Sequence, residues 1–239
     1  MRMKTISAAS YSRLNVFAQC KYRVKLAYLD KIPEPDRGAP PNGKEWPNDR
    51  GSRIHNEAEH YVKGNLDHVP TECKKFTHEL NKLRSLYQAG KVTTEQTWYF
   101  DNNWAPIDGA TYNEIALRVI CDVIVFTSDT TAVIIDYKTG RKFGNEVSHA
   151  QQLQLYQLAA FLKYPKLETI DSEIYYFDQD ELVSMHFTRA QGLRFFRVWD
   201  EKIKTMFACT NFKPNANKFS CRWCPYRQDR SGDCSFGVF

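Results

Sequence analysis

Residues 132–142 read AVIIDYKTGRK. The β-branched, apolar opening is that of a buried strand, yet Asp136 and Lys138 sit two positions apart within it. Successive strand side chains point to opposite faces, so residues two apart project to the same side. A carboxylate and an ammonium are thereby aimed into one small volume. Taken alone, the two also fit a structural ion pair at a strand end.

Working outward, TTEQTWYF (93–100), ALRVICDVIVFT (116–127) and TAVIIDYKT (131–139) are all β-rich, and SDT (128–130) reads as a hairpin turn. Asp122 lies among apolar neighbours, where a lone ionised carboxylate is costly to bury and needs a neutralising partner. If 128–131 make a hairpin, Asp122 and Asp136 stand at similar distances from the turn on adjacent strands, within reach of one hard cation.

Helices are expected on either side of this meander. SYSRLNVFAQCKYRVKLAYL (10–29) reads as one helix or two short ones behind a capping serine. Residues 31–51, rich in proline and glycine, read as a loop. GSRIHNEAEHYV (51–62) and residues 72–87 have helical periodicity, as do HAQQLQLYQLAAFLKY (149–164) and RAQGLRFFRVWDEKIKTMFA (189–208). Two short strands, SEIYYFD (172–178) and LVSMHFT (182–188), lie between the last two helices. The tail from 211 to 239 has no periodicity, and no internal repeat is visible. The order predicts an α/β protein: a central mixed sheet flanked by helices, with the Asp136 strand near its middle. We read 1–239 as a single domain with a core of about 51–208, an N-terminal helix of about 10–29 and a C-terminal tail of about 209–239.

Bulk properties agree with a folded chain. Of the 239 residues, 42% are hydrophobic and 26% charged, and no apolar run reaches the roughly 18–20 residues of a membrane span. The basic start has no apolar segment behind it, so no secretory signal is read and a cytoplasmic location is expected, that of a host if the gene is viral. The formal charge of +5 is compatible with a polyanionic partner. Basic residues cluster at Lys21, Arg23 and Lys25, at Lys138, Arg141 and Lys142, and from Arg194 to Arg230, where solvated helix faces are the plainer account of any one cluster.

On the helix from Gly51, His55 and Glu59 are four apart and share a face. The comparison with HExxH zinc proteases fails, because His55 and His60 are five apart. Gln152 and Tyr156 form another polar pair at helical spacing. Gln152 is placed to orient a water or Lys138, although capping or surface solvation accounts for it as well.

In chain order the pieces GSRIHNEAE, CDVIVF, IIDYKTG and QLQLY resemble the RecB-type branch of the PD-(D/E)XK nuclease superfamily, from Gly51 to Tyr156. The resemblance implies the restriction-endonuclease-like core and a divalent cation, Mn²⁺ or Mg²⁺, held by His55, Asp122, Asp136 and the backbone carbonyl of Tyr137. It implies that Lys138 positions or activates the attacking water, and that Glu59, Gln152 and Tyr156 support the site or hold a phosphate. Arg141, Lys142 and Tyr156 are the expected nucleic-acid contacts. Phosphodiester hydrolysis calls for a Lewis acid and a positive charge near the developing oxyanion, which such a set supplies. An imidazole ligand favours Mn²⁺ over Mg²⁺.

Seven cysteines in a chain with no export signal make metal binding a better use than disulfides. Cys221, Cys224 and Cys234 leave a tetrahedral site one ligand short, and Cys20 is the candidate fourth. This one-plus-three pattern resembles the iron–sulfur subset of the same nucleases, AddB-type proteins and CRISPR-associated spacer-acquisition nucleases, which implies a [4Fe–4S] cluster joining the chain ends. The nine residues between Cys224 and Cys234 exceed the gap usual in that subset. Zinc at the same thiols is the alternative. Cys73, Cys121 and Cys209 are expected to be buried hydrophobes.

The expected activity is metal-dependent DNA hydrolysis, most readily as an exonuclease on single strands or ends in recombination, replication or DNA processing. A stand-alone, phage-encoded or CRISPR-linked protein would have this size. A structure-specific endonuclease and a DNA-binding or assembly subunit with an unused site are the alternatives.

Overall fold

The computed structural model describes residues 5–40, 43–109, 111 and 113–238. The first four residues of the basic start, residues 41 and 42 of the proline-rich loop, and Phe239 of the tail lie outside the described residues.

Six strands form one mixed sheet, β1 (Val92–Phe100), β2 (Pro106–Ile107), β3 (Leu117–Phe126), β4 (Thr131–Lys138), β5 (Thr169–Tyr176) and β6 (Glu181–Thr188), in the order β2-β1-β3-β4-β5-β6. The 128–131 turn is the expected hairpin, with β3 and β4 antiparallel. β4 and β5 are parallel, so their connection must cross the sheet, and α5 (Glu146–Lys163) makes that crossing. The catalytic-strand candidate, β4, is therefore central. Short β2 was not legible as a strand.

Helices cover both faces. On one side α3 (Pro47–Val62) and α4 (Thr77–Gln88) bury Ile54, Ala58, Leu80 and Leu83 against Val123, Ile135 and Tyr137. On the other, α1 (Tyr11–Gln19), α5 and α7 (Phe196–Phe207) bury Phe17, Leu155, Leu158, Trp199 and Met206 against Trp98, Val119, Ile134 and Ile170. Burying a Leu, Ile or Phe side chain contributes about 1.5–3 kcal/mol, so this double coverage holds the sheet from both sides. Among the described residues no helix is long and apolar enough to cross a membrane.

Several boundaries differ from the sequence reading. α3 starts at Pro47 rather than Gly51, because proline at a first helical position loses no hydrogen bond the helix needs. Residues 71–76 are a 3₁₀ turn leading into α4. The single helix expected over 189–208 is two, α6 (Arg189–Leu193) and α7, with a break at 194–195. The N-terminal helix is likewise divided: α1 ends at Cys20, whose backbone is extended, and α2 (Lys21–Val24) runs on into a π turn at Lys25–Leu29.

Candidate active site and metal centre

The site lies where the sheet forks. β3 and β4 pair from Phe126–Ala132 to Val123–Ile135 and then part, leaving Asp122 opposite Asp136 one step beyond the last pair. β4 stays with β5 as far as Lys138–Tyr176. The Asp122 carboxylate fills the opening and accepts a hydrogen bond from the Tyr137 backbone N–H at 2.7 Å.

The cause of the fork is visible across β1 and β3. Val92 packs toward α3 and α4, while Trp98 and Phe100, at even spacings from it, pack toward α5. Val119 and Cys121 face α5, whereas Val123 and Val125 face α3. Strict alternation forbids both changes. Both strands swap faces at Glu95 and Asp122, which fall opposite each other between the Thr94–Val123 and Gln96–Cys121 pairs. Glu95 takes φ 49°, a left-handed conformation that costs a non-glycine residue about 1–3 kcal/mol and tends to be held at functional sites.

His55 comes to the fork from α3. Gly51, one turn earlier, permits this approach: a Cβ there would stand 3.1 Å from Thr139 Oγ1, closer than ordinary packing. His55 Nδ1 is 3.4 Å from Asp122 Oδ2. His55, Glu95 and Asp122 each place one ligand atom within 4.8 Å of the others. An imidazole and two carboxylates suit a divalent cation of the Mn²⁺ type, with Mg²⁺ the harder alternative, and the buried carboxylate of Asp136 stands across the fork.

Asp136 is 2% exposed. Its Oδ2 lies 2.5 Å from Lys138 Nζ, as the two-residue spacing requires. Its Oδ1 accepts from Gln152 Nε2 at 3.1 Å, and the same amide group donates to the Tyr156 hydroxyl at 2.6 Å. Tyr156 is itself buried, so its hydroxyl reaches the site through Gln152. Glu59 points elsewhere: it pairs with Lys63 at 2.6 Å and accepts from Thr94 Oγ1 at 3.1 Å, bracing α3 against β1. Arg141 is exposed just beyond the site, and Lys142 is ion-paired with Glu181.

The charges are interdependent. Burial pushes the Asp136 carboxyl up, with Lys138 opposing and Asp122 reinforcing the shift. At Asp122 burial also pushes upward, but the hydrogen bond and charge of His55, the Lys138 charge and the Tyr137 N–H outweigh it, and the net shift is down. Burial pulls the His55 imidazole down, and Asp122 more than compensates. Burial, then the Asp122 and Glu59 charges, hold Glu95 up at about 7. Partial burial, then the Lys138 charge, push the half-buried His149 down to about 4.

A cation here must displace protons from Glu95 and Asp136, both raised above the ordinary carboxylate range. Mn²⁺ affinity is accordingly expected to rise between pH 5.5 and 8, with proton release centred near the Glu95 value of about 7, in calorimetric titrations. Carboxyls raised on folding contribute stability that is full below the ordinary carboxylate range and is lost as pH climbs from about 4 to about 7, so metal-free protein should melt lower at pH 8 than at pH 5 and recover with cation. A pH-independent affinity would remove both carboxylates from the ligand set.

Glu95 is the site residue that sequence reasoning missed. It sits in TTEQTWYF as an ordinary outward-facing strand residue; it stays solvent-exposed, and only the paired face change brings its carboxylate beside His55 and Asp122.

The four predicted cysteines meet at the far end of α1. Cys20, Cys221, Cys224 and Cys234 line one cavity, with Tyr22, Leu26 and Arg227. The tail is tied to the N-terminal segment by Asn215 Nδ2 and Ser220 Oγ, which donate to Gln19 O at 2.9 and 3.3 Å, and by Tyr226 OH, which donates to Ile32 O at 3.0 Å. Cys73 and Cys121 are buried as expected, whereas Cys209 is only partly so. Part of the basic charge is engaged locally: Lys25 pairs with Asp30, and Lys204 with Asp200.

A mixed sheet forked around two carboxylates, with a lysine two residues past the second and a helix-borne histidine beside the first, is the arrangement of a metal-assisted nuclease. The model of the PD-(D/E)XK nuclease superfamily matches residues 8–228, and the chain belongs to that superfamily. No curated protein matches it in sequence. Among solved structures it is similar to that of the protein SSO0001, at 15% identity and a TM-score of 0.48, over 100% of this chain and 91% of the other. It is also similar to a protein of Eubacterium rectale described as a candidate exonuclease, at 11% identity and a TM-score of 0.48, over 92% and 88% of the two chains. An alkaline exonuclease of Laribacter hongkongensis aligns at 12% identity and a TM-score of 0.33, over 84% and 87%.

Proposed function

We propose that this chain hydrolyses phosphodiester bonds of DNA, working from single-stranded regions or free ends and using Mn²⁺ or Mg²⁺. The observation that carries the reading is the convergence of Asp122, Asp136, Lys138 and His55 on the fork between β3 and β4. Asp122, Asp136, His55 and the Tyr137 carbonyl would hold the cation, with Glu95 as an added carboxylate. When bound, the cation supplies Lewis-acid polarisation of the phosphoryl group and lowers the pKa of water. The chain's own part is positional. Lys138, paired to Asp136, offers positive charge where negative charge develops. Gln152 fixes the Asp136 carboxylate and leans on Tyr156. Glu59 braces the helix that presents His55.

Attack from ends follows the motif resemblance to RecB-type nucleases. Circular and end-labelled single-stranded DNA, incubated with Mn²⁺ and resolved over time, test it together with the class. Mononucleotides or short products from the linear strand, with the circle intact, are expected. Cleavage of the circle would make the protein an endonuclease, and no cleavage of either would leave the DNA-binding or assembly role.

We further propose a [4Fe–4S] cluster at Cys20, Cys221, Cys224 and Cys234. The reading is supported by the four thiols lining one cavity between the N-terminal segment and the tail, and zinc at the same thiols is the alternative.

A further inference from the structure

The loop 139–145, TGRKFGN, joins the two elements that make the site: β4, which carries Asp136 and Lys138, and α5, whose Gln152 touches Asp136. It is held down along its length. The Gly140 N–H donates to Asp178 Oδ2 at 2.6 Å, and Asp178 also receives the guanidinium fork of Arg50. Lys142 pairs with Glu181 and lies over the Tyr176 ring at 5.6 Å. Asn145 Nδ2 donates back to Arg141 O at 2.9 Å, and the Gly144 N–H to Glu146 Oε2 at 2.7 Å. Gly140 and Gly144, at φ 90° and 86°, let the chain reverse twice.

A loop anchored this firmly nevertheless leaves Phe143 90% exposed, with Val147 beside it at 73%. Single exposed apolar side chains are common and need no explanation by themselves. Here the exposed phenyl ring stands two residues from an exposed Arg141, in the loop that begins directly after Lys138 at the end of β4. We propose that Phe143 is the stacking platform for an unpaired base of the DNA strand entering the site, with Arg141 on the adjoining phosphate. The inference rests on the nuclease reading above. An aromatic face beside a cation is the combination that tracks single strands, because every base has a π face and every linkage a charge. A patch of one phenyl and one valine is far below the roughly 800 Å² per partner of a protein interface, but it matches one base. Stacking of this kind gives preference for unpaired nucleotides without preference for sequence.

The test uses full-length protein carrying Lys138→Ala to suppress cleavage, and oligonucleotides with 2-aminopurine at or near an unpaired end. Adding Phe143→Ala should weaken binding about 5- to 150-fold and abolish the fluorescence quench, with the slope of log affinity against log salt unchanged. Phe143→Trp should restore both signals. Arg141→Gln should lower the salt slope by about one and leave the quench. Because Phe143 is so exposed, Phe143→Ala should melt with its parent, which separates stacking from folding. Unaltered affinity and quench in Phe143→Ala, or loss of both in Phe143→Trp, would overturn the proposal. The nuclease reading stands or falls separately: protein with the native lysine and Mn²⁺ either cleaves DNA or does not.

Discussion

Lys138→Met and Asp136→Asn are each expected to lower the turnover number for single-stranded DNA by about 10²–10³-fold or more, the range seen when one electrostatic contact to a transition state is removed. The two should differ in what else they change. Lys138→Met removes the cation from a carboxylate that is 2% exposed, so Asp136 should take up a proton still more readily and metal affinity should fall with it. Asp136→Asn keeps the Gln152 contact in shape but leaves the Lys138 ammonium without its partner, and should melt below the parent while binding Mn²⁺ weakly. Breaking one half of a buried pair is costly where the remaining charge persists, and protonation is the escape open to Asp136. Calorimetric Mn²⁺ titration beside a cleavage time course checks both. Parental turnover by either variant, with metal removed and Mn²⁺ restored, would end the assignment of β4 as the catalytic strand.

The second large effect concerns the cysteine cavity. Cys221→Ser should abolish the brown colour expected of anaerobically purified protein and lower the melting temperature by about 10 °C, since metal binding at such thiols is folding free energy and 1 kcal/mol moves a chain of this size by about 2–4 °C. The loss should be global. Cys20 and the three tail thiols join segments that otherwise share hydrogen bonds at Gln19 and Ile32, a small apolar cluster of Leu26 with Tyr226, and an edge-on contact of Tyr22 with Phe236. Cys209→Ser, outside the cavity, should change neither colour nor melting, and Asp136→Asn should stay brown. Colourless protein with one zinc per chain would replace the cluster while keeping the staple. Metal-free protein that melts like its Cys221→Ser variant would show that packing alone holds the tail.

Much of this site follows from local chain properties. A two-residue spacing on a strand puts Asp136 and Lys138 on one side whatever surrounds them, and the ion pair between them is that geometry realised. A short turn at 128–131 sets the register that brings Asp122 opposite Asp136. Four-residue helical spacing sets Gln152 against Tyr156. Each depends on dihedral periodicity within a few residues, which the amino-acid order carries by itself. Helix termini were less legible: the early start of α3 follows from Pro47 at its first position, whereas no proline or other breaker stands at the break at 194–195.

Other features exist only in the folded chain. Glu95 and Asp122 look like members of regular strands, and nothing local marks the positions where β1 and β3 exchange faces together. That exchange needs two strands paired in one register, with α3 and α5 competing for their apolar side chains, and it is what opens the sheet for Asp122 to enter. Glu59 shares a helix face with His55, yet Lys63 and Thr94 claim it. The chain's own order thus determined the central mixed sheet, the acid and base on β4 and the helical partners. The tertiary structure decided the fork, the approach of the exposed Glu95 to His55 and Asp122, and the diversion of Glu59 to Thr94, because these arise from contacts between residues far apart in sequence, whose net stability no local pattern encodes.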